Sequence, residues 1–293
     1  MICKIDNSFY TITKKIKNFW YKKGLLYTIP IDISVGAGTF HPETFFKSLG
    51  SKSFSSIYIQ PCRRPTDGRY GCNPNRLQHY YQLQVVIKPP PKNIQKIYLE
   101  SLKVINIFPD TSDIRFIEDN WENPTLGASG IGWEVWIDGM EMTQFTYFQN
   151  MGSIECNPIT VEITYGIERI CMYIQNKKSI YDIIWMQTKK KIITYGQLFH
   201  NNEIENSKYN FINSDTKLLF FLFHKYINES KRLLKLEKPL INPAYEYILH
   251  ATHNFNLLDS KKTLSVTERQ DYIFQLRKLS KLVAQKYLQN QEK

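Results

Sequence analysis

Phe9, Ile12, Ile16, Phe19 and Trp20 recur at helical spacing near the start of the chain, and this predicts an amphipathic helix. Pro42 to Leu49, closed by Gly50, predicts a second, short helix with a glycine stop. The period then changes. Ser55 to Gln60 reads as a strand, and Gln78 to Lys88 as a longer one. In the latter, Tyr81, Leu83 and Val85 alternate with Gln82, Gln84 and Val86. Pro89, Pro90 and Pro91 end it, because proline has no N–H for the ladder. Ile94, Ile97, Tyr98 and Leu102 return to helical spacing. Trp133 to Ile137 and Met140 to Phe148 flank Asp138-Gly139, a two-residue link that predicts a β-hairpin.

Strands joined as hairpins around helices argue for an antiparallel sheet rather than a doubly wound parallel one. From Ser179 onward the pattern is nearly all helical. Leu219, Leu222, Phe223 and Tyr226 mark one side of a helix from Asp215 to Leu236, and Pro243 opens another that runs to about Leu258. Ser265-x-x-Glu268 has capping-box spacing ahead of a final basic helix to Gln289. The expected fold class is α+β, an antiparallel sheet flanked by helices followed by an all-helical domain. Residues 1–176 and 177–293 form the two expected domains.

Composition supports a packed core, with 42% hydrophobic residues, 17 Phe and 19 Tyr. No apolar run reaches the roughly 18–20 residues needed to span a bilayer, so no membrane partner is expected. Met1 to Lys17 shows no apolar core of a signal peptide. Cys3, Cys62, Cys72, Cys156 and Cys171 are odd in number and hold no C-x-x-C pair. A reducing cytoplasm therefore fits better than a disulfide framework or a zinc knuckle. The net charge of +11 suits a polyanionic partner, although a chain crowded with Lys, Ile, Asn and Tyr also fits AT-rich coding drift. The histidines show no H-E-x-x-H or H-x-x-x-H spacing, and no G-x-S-x-G elbow is present.

Two segments carry chemistry. Arg63-Arg64-Pro65-Thr66-Asp67-Gly68-Arg69-Tyr70-Gly71-Cys72-Asn73-Pro74-Asn75-Arg76 is a turn-rich loop between two strand-like runs. Its arginines present rigid forks of donors that match phosphate oxygens, or it is a hairpin tip with solvated charges. Glu162-Ile163-Thr164-Tyr165-Gly166-Ile167-Glu168-Arg169 places an arginine where a strand passes into a helix, whose N-terminus also favours anions. Alone, that Gly-x-Glu-Arg is equally an ordinary helix start.

In order along the chain these segments resemble motifs 2 and 3 of the class II aminoacyl-tRNA synthetases. More narrowly, VGAGTFHPETF, QPCRRPTDGRYGCNPNRLQHYYQLQVVIKP, DIRFIEDNWENPTLGASGIGWEVWIDGMEMTQFTYFQ and EITYGIERICMYIQ resemble the alpha subunit of the bacterial tetrameric glycyl-tRNA synthetases. The likeness extends through AYEYILHATHNFNLLDS and SVTERQDYI, and so over nearly the whole chain. It departs from the expected pattern at Cys72, Ser129 and Val161, where Glu, Trp and Gly are usual.

The resemblance implies a six-stranded antiparallel sheet and an ATP-dependent ligase that makes glycyl-adenylate and charges tRNA(Gly). It further implies an alpha–alpha homodimer with a separate beta subunit. It assigns Arg64, with Arg63 as the alternative, to the α-phosphate of ATP and Arg169 to the γ-phosphate. Arg69 and Arg76 would reach the polyphosphate or the tRNA end, and Glu168 would stand at the nucleotide site. Glu162 would hold the glycine ammonium, with Thr164, Gln82, Gln84 and Trp121 lining the pocket. Magnesium is implied on the phosphates, its protein ligands left open between Glu155 and Glu168. A synthetase-like chain that activates another small acid, and a catalytically inactive tRNA-binding or assembly subunit, are the alternatives.

Overall fold

The structure is a computed structural model that describes residues 6–291. Cys3 and the first residues weighed for a signal peptide lie outside that range. Helix α1 (Phe9–Lys22) starts where Ser8 Oγ accepts the Thr11 N–H at 3.4 Å, and it buries Phe9, Ile12, Ile16 and Trp20 as its spacing requires. Helix α2 (Pro42–Phe45) is shorter than the stretch to Leu49 that the pattern suggested. The buried Lys88 ammonium donates to the carbonyls of Lys47, Ser48, Leu49 and Gly50, so a side chain from the sheet takes the acceptors a longer helix would use.

The main sheet is built from β1 (Leu26–Tyr27), β2 (Phe54–Arg63), β3 (His79–Lys88), β4 (Ile114–Asn123), β5 (Ala128–Ile137), β6 (Met140–Met151) and β7 (Ile154–Gly166). Their spatial order is β1-β2-β3-β7-β6-β5-β4. The expected six-stranded antiparallel sheet is present as β2 to β7, and the short β1 adds a seventh strand parallel to β2. The predicted hairpin forms between β5 and β6, with Asp138 at φ 48° and Gly139 at φ 82°. Those two left-handed residues make the tight turn whose twist matches the strands.

Period-two alternation sorts the sheet into two faces. Leu83, Val85, Ile163 and Tyr165 point into a core shared with α1, α3 (Ile94–Lys103) and α4 (Ile167–Ile174). Gln82, Gln84, Glu162 and Thr164 take the intervening positions and form the opposite face. A second core joins Phe40, Phe45, Phe148 and Met151 to α6 (Thr216–Leu234), α7 (Ile241–Ser260) and α8 (Val266–Gln291). The capping box ahead of α8 forms, with Ser265 and Glu268 exchanging hydrogen bonds. Between α4 and α6 lie a small hairpin, β8 (Ile184–Gln187) and β9 (Ile192–Thr194), and helix α5 (Tyr195–Lys208). Tyr195 belongs to the first core.

One buried hydroxyl ties three elements of that core together. The Trp20 indole N–H donates to Tyr165 Oη at 3.0 Å, and the same hydroxyl lies 2.6 Å from Ser101 Oγ on α3. Tyr165→Phe removes that hydroxyl and leaves the indole donor buried without a partner. The expected cost is about 1–3 kcal/mol, read as a lower urea midpoint with an unchanged slope. An unaltered midpoint would show that the bond contributes nothing net.

Candidate active site

Strands β2 and β3 pair with Arg63 opposite His79, so the residues between them form a loop at one end of the sheet. Arg64 leaves the ladder, yet its N–H still donates to the Gln78 carbonyl at 2.7 Å. Its half-exposed guanidinium lies over the Tyr80 ring, 5.3 Å from the centroid, and 3.6 Å from Asp67. The Tyr80 hydroxyl is fixed in turn by the Gly36 carbonyl at 2.8 Å. Stacking and a weak ion pair thus hold the fork without consuming all its donors.

Strand β7 ends at Gly166, directly beside Gln82 of β3, and α4 begins there. Arg169, in the first turn of α4, donates through Nη1 to Glu141 Oε2 at 2.6 Å and to the Glu141 carbonyl at 3.2 Å. Arg64 and Arg169, distant in sequence, line one cavity of about 220 Å³. Arg76, Gln82, Thr164, Gly166 and Glu168 also line it. Two guanidinium groups over a polar floor present the donor geometry that suits phosphate or carboxylate oxygens.

The remaining predicted residues fall at graded distances from this cavity. Arg69 lies outside the lining and turns back on its own loop, donating to the carbonyls of Thr66 and Gly68 at 3.0 and 2.6 Å. Arg63 is also outside it. Arg63 acts instead on His79 and His253, where burial first and the arginine charge second hold both imidazoles down at about 4. Gln84 is buried and accepts the Thr164 hydroxyl at 2.7 Å. Trp121 lines a neighbouring cavity of about 320 Å³, which shares Arg64 with the first, and packs edge-on against Phe148. Glu155 stands at the far end of β7, roughly 35 Å from Gly166 at the usual rise per strand residue.

Glu162 lies on the same face as Thr164, about 7 Å further along β7 by the same rise. Its Oε2 accepts the Thr39 hydroxyl at 2.6 Å, and its Oε1 is buried without a partner. Burial raises this carboxyl to about 7, against the lowering effects of the Thr39, Thr164 and Thr44 hydroxyls. Burial likewise raises Glu168 to about 7, although its Oε1 accepts the Tyr81 N–H at 2.8 Å and the Tyr195 hydroxyl at 3.4 Å. A wall crosses above these residues at Gly38, whose N–H donates to Gln82 Oε1 at 2.8 Å. A Cβ there would lie 2.1 Å from Gln84 Nε2, so the backbone can approach the glutamines only because the residue is glycine.

Among the described residues no group of three or more His, Cys, Asp or Glu could hold a metal ion. The acids of the cavity, Asp67, Glu141 and Glu168, are each engaged by a donor of the chain. That donor set fits a hard cation carried mainly by a ligand's own oxygens, not a protein cage. Sequence reasoning missed Glu141 and Asp67, because only the strand register and the loop's 3-10 turn bring them to the arginines.

Residues 9–292 match the family described as glycyl-tRNA synthetase alpha subunit. The chain belongs to that family. Over 288 residues it is 59% identical to the glycine–tRNA ligase alpha subunit of Buchnera aphidicola subsp. Baizongia pistaciae (strain Bp), covering 98% of this chain and 96% of that relative. Among solved structures, a pyrrolysyl-tRNA synthetase of Desulfitobacterium hafniense is 11% identical with a TM-score of 0.43. The match covers 64% of this chain and 76% of the other, a likeness too slight to carry an assignment.

The three departures from the family pattern have distinct settings. Cys72 is exposed at the loop tip, Ser129 Oγ accepts from Asn150 at 3.2 Å, and Val161 is fully buried. Cys62, Cys72, Cys156 and Cys171 are all free thiols.

A buried carboxyl raised to about 7 contributes stability below the ordinary carboxylate range and loses it as pH climbs through 7. His79 and His253, held down, act in the opposite direction, so the test is a difference. The melting temperature of Glu162→Gln minus that of the native protein is expected to rise between pH 4.5 and 7.5. A flat difference would mean that Glu162 ionises as freely as a surface glutamate.

Proposed function

We propose that the chain activates glycine with ATP to glycyl-adenylate and passes the glycyl group to the 3′ end of tRNA(Gly), as the catalytic alpha subunit of a glycine–tRNA ligase. The observation that carries this reading is the convergence of Arg64 and Arg169 on one cavity. Family membership supplies the substrate class. The glycine carboxylate is already ionised at neutral pH and attacks the α-phosphate itself, so no protein nucleophile is required. The chain's task is to position the reactants and to neutralise charge.

Arg64 is assigned to the α-phosphate, where negative charge grows as pyrophosphate leaves. Arg169 takes the γ-phosphate, exchanging part of its hold on Glu141 for the nucleotide. Arg76 stands further along the polyphosphate, with Arg69 and Arg63 behind it as loop and strand supports. Magnesium, if bound, would offset phosphate charge, and Asp67, Glu141 and Glu168 are the acids lining the cavity that would face it. The unpartnered Oε1 of Glu162 is the proposed acceptor for the glycine ammonium, with Thr164, Gln82 and Gln84 on the same face of the sheet. A ligand ammonium there would supply the counter-charge that burial now denies. Packed walls exclude an added methyl more readily than they exclude a missing one, so no editing site is required.

The catalytic domain is assigned to residues 1–176 and the helical domain to 177–293. The partners are a beta subunit, a second alpha chain and tRNA(Gly), toward which the net charge of +11 is favourable. No helix among the described residues is long and apolar enough to cross a membrane, and a cytoplasmic location is proposed.

Glycine-dependent ATP–pyrophosphate exchange tests the reading. With the partner subunit supplied, Arg64→Ala and Arg169→Ala are each expected to lose at least about 10²-fold in exchange, the scale of a lost transition-state donor. Exchange at full rate in Arg169→Ala would sink the assignment. A native complex that binds tRNA yet shows no exchange would favour the inactive assembly subunit.

A further inference from the structure

We infer that helix α5 is the bed that positions both nucleotide arginines, with Glu203 as its principal positioning residue. This deepens the function proposed above and rests on it. Helix α5 starts from a complete capping box, in which Thr194 and Gln197 exchange hydrogen bonds, so its first turn is fixed independently of the loop. His200, Glu203 and Ser207 follow at helical spacing and share one face. That face meets the arginine loop.

Each of the three residues holds a different point of the loop backbone. Glu203, buried at 3% exposure, accepts the Gln78 N–H through Oε1 at 2.8 Å. Ser207 Oγ accepts the Tyr70 N–H at 3.0 Å, and His200 Nε2 lies 3.1 Å from the Gly71 carbonyl. Packing leaves no slack in between. A Cβ on Gly71 would lie 2.7 Å from His200 Nε2, and one on Gly68 would lie 2.9 Å from Ser207 Oγ.

Gln78 is the link to the chemistry. Its N–H is held by Glu203, while its carbonyl accepts the Arg64 N–H at 2.7 Å. The carboxylate therefore fixes the residue against which Arg64 leaves the sheet. At the other end of α5, the Tyr195 hydroxyl shares its hydrogen between the His79 carbonyl at 3.3 Å and Glu168 Oε1 at 3.4 Å, and Glu168 immediately precedes Arg169. Both arginines are thus linked to one helix through an intervening residue, Gln78 for Arg64 and Glu168 for Arg169. A displacement of about 1 Å at such a support is enough to cost up to 10²-fold in a positioned reaction.

The test uses the full-length chain with its partner subunit in the exchange assay. Glu203→Ala is expected to raise the KM for ATP about tenfold and lower kcat, with the KM for glycine within about twofold of native. Glu203→Gln, which keeps an acceptor for the Gln78 N–H, is expected to recover most of the loss. Equal rises in both KM values, or no rescue by Gln, would reduce Glu203 to general scaffolding and overturn the inference. If Glu203→Ala does not fold, Ser207→Ala takes its place, and an unchanged KM for ATP there overturns the inference as well. A native complex without glycine-dependent exchange would instead overturn the functional reading itself.

Discussion

The antiparallel pairing of β3 with β7 is the contact on which the site depends. It places Gly166 beside Gln82, so the loop that precedes β3 and the helix that follows β7 emerge at the same end of the sheet. Two guanidinium groups roughly a hundred residues apart are brought together by backbone hydrogen bonds, not by attraction between like charges. The register is pinned by burial, because Leu83, Val85, Ile163 and Tyr165 must face the apolar core. A slip of one residue would turn those side chains onto the polar face and drive the polar row into the apolar core.

That alternation also accounts for the chemistry of the opposite face. Gln82, Gln84, Thr164 and Glu162 occupy positions forced away from the core, yet Thr39, Gly38 and the segment around them cover that face as well. Its polar groups must therefore satisfy one another. Gln84 takes the Thr164 hydroxyl, Gln82 takes the Gly38 N–H, and Glu162 is left with one oxygen unmatched. A buried, incompletely satisfied carboxylate is costly to the free protein and is the kind of cost that binding sites retain. Arg169 shows the complementary arrangement, a charge at the cavity paired with Glu141.

Much of this was legible along the chain. Helical spacing located α1 and α3, period-two alternation located β3, and Asp138-Gly139 located the β5–β6 turn, since each signal is local. The capping box before α8 was equally plain. The end of α2 was not, because the group that stops it is Lys88, contributed by a strand some forty residues later. Of the candidate residues, Arg64, Arg76, Arg169, Gln82, Thr164 and Glu168 stand on one cavity. Arg69, Arg63 and Trp121 do not, for the loop's own carbonyls, strand alternation and the β4 register direct them elsewhere, and Glu162 and Gln84 lie buried further along the sheet, outside its lining.

By itself the sequence determined the periodicities, the caps and turns, and the motifs that mark the family, because all of these depend on neighbours within a few residues. Only the tertiary structure decided which charges face one another: Arg169 with Glu141, Arg64 over Tyr80, Glu203 under Gln78. Those pairings are products of strand register and helix docking. Both are set by the collective burial of many apolar side chains, and no short stretch of residues encodes that quantity.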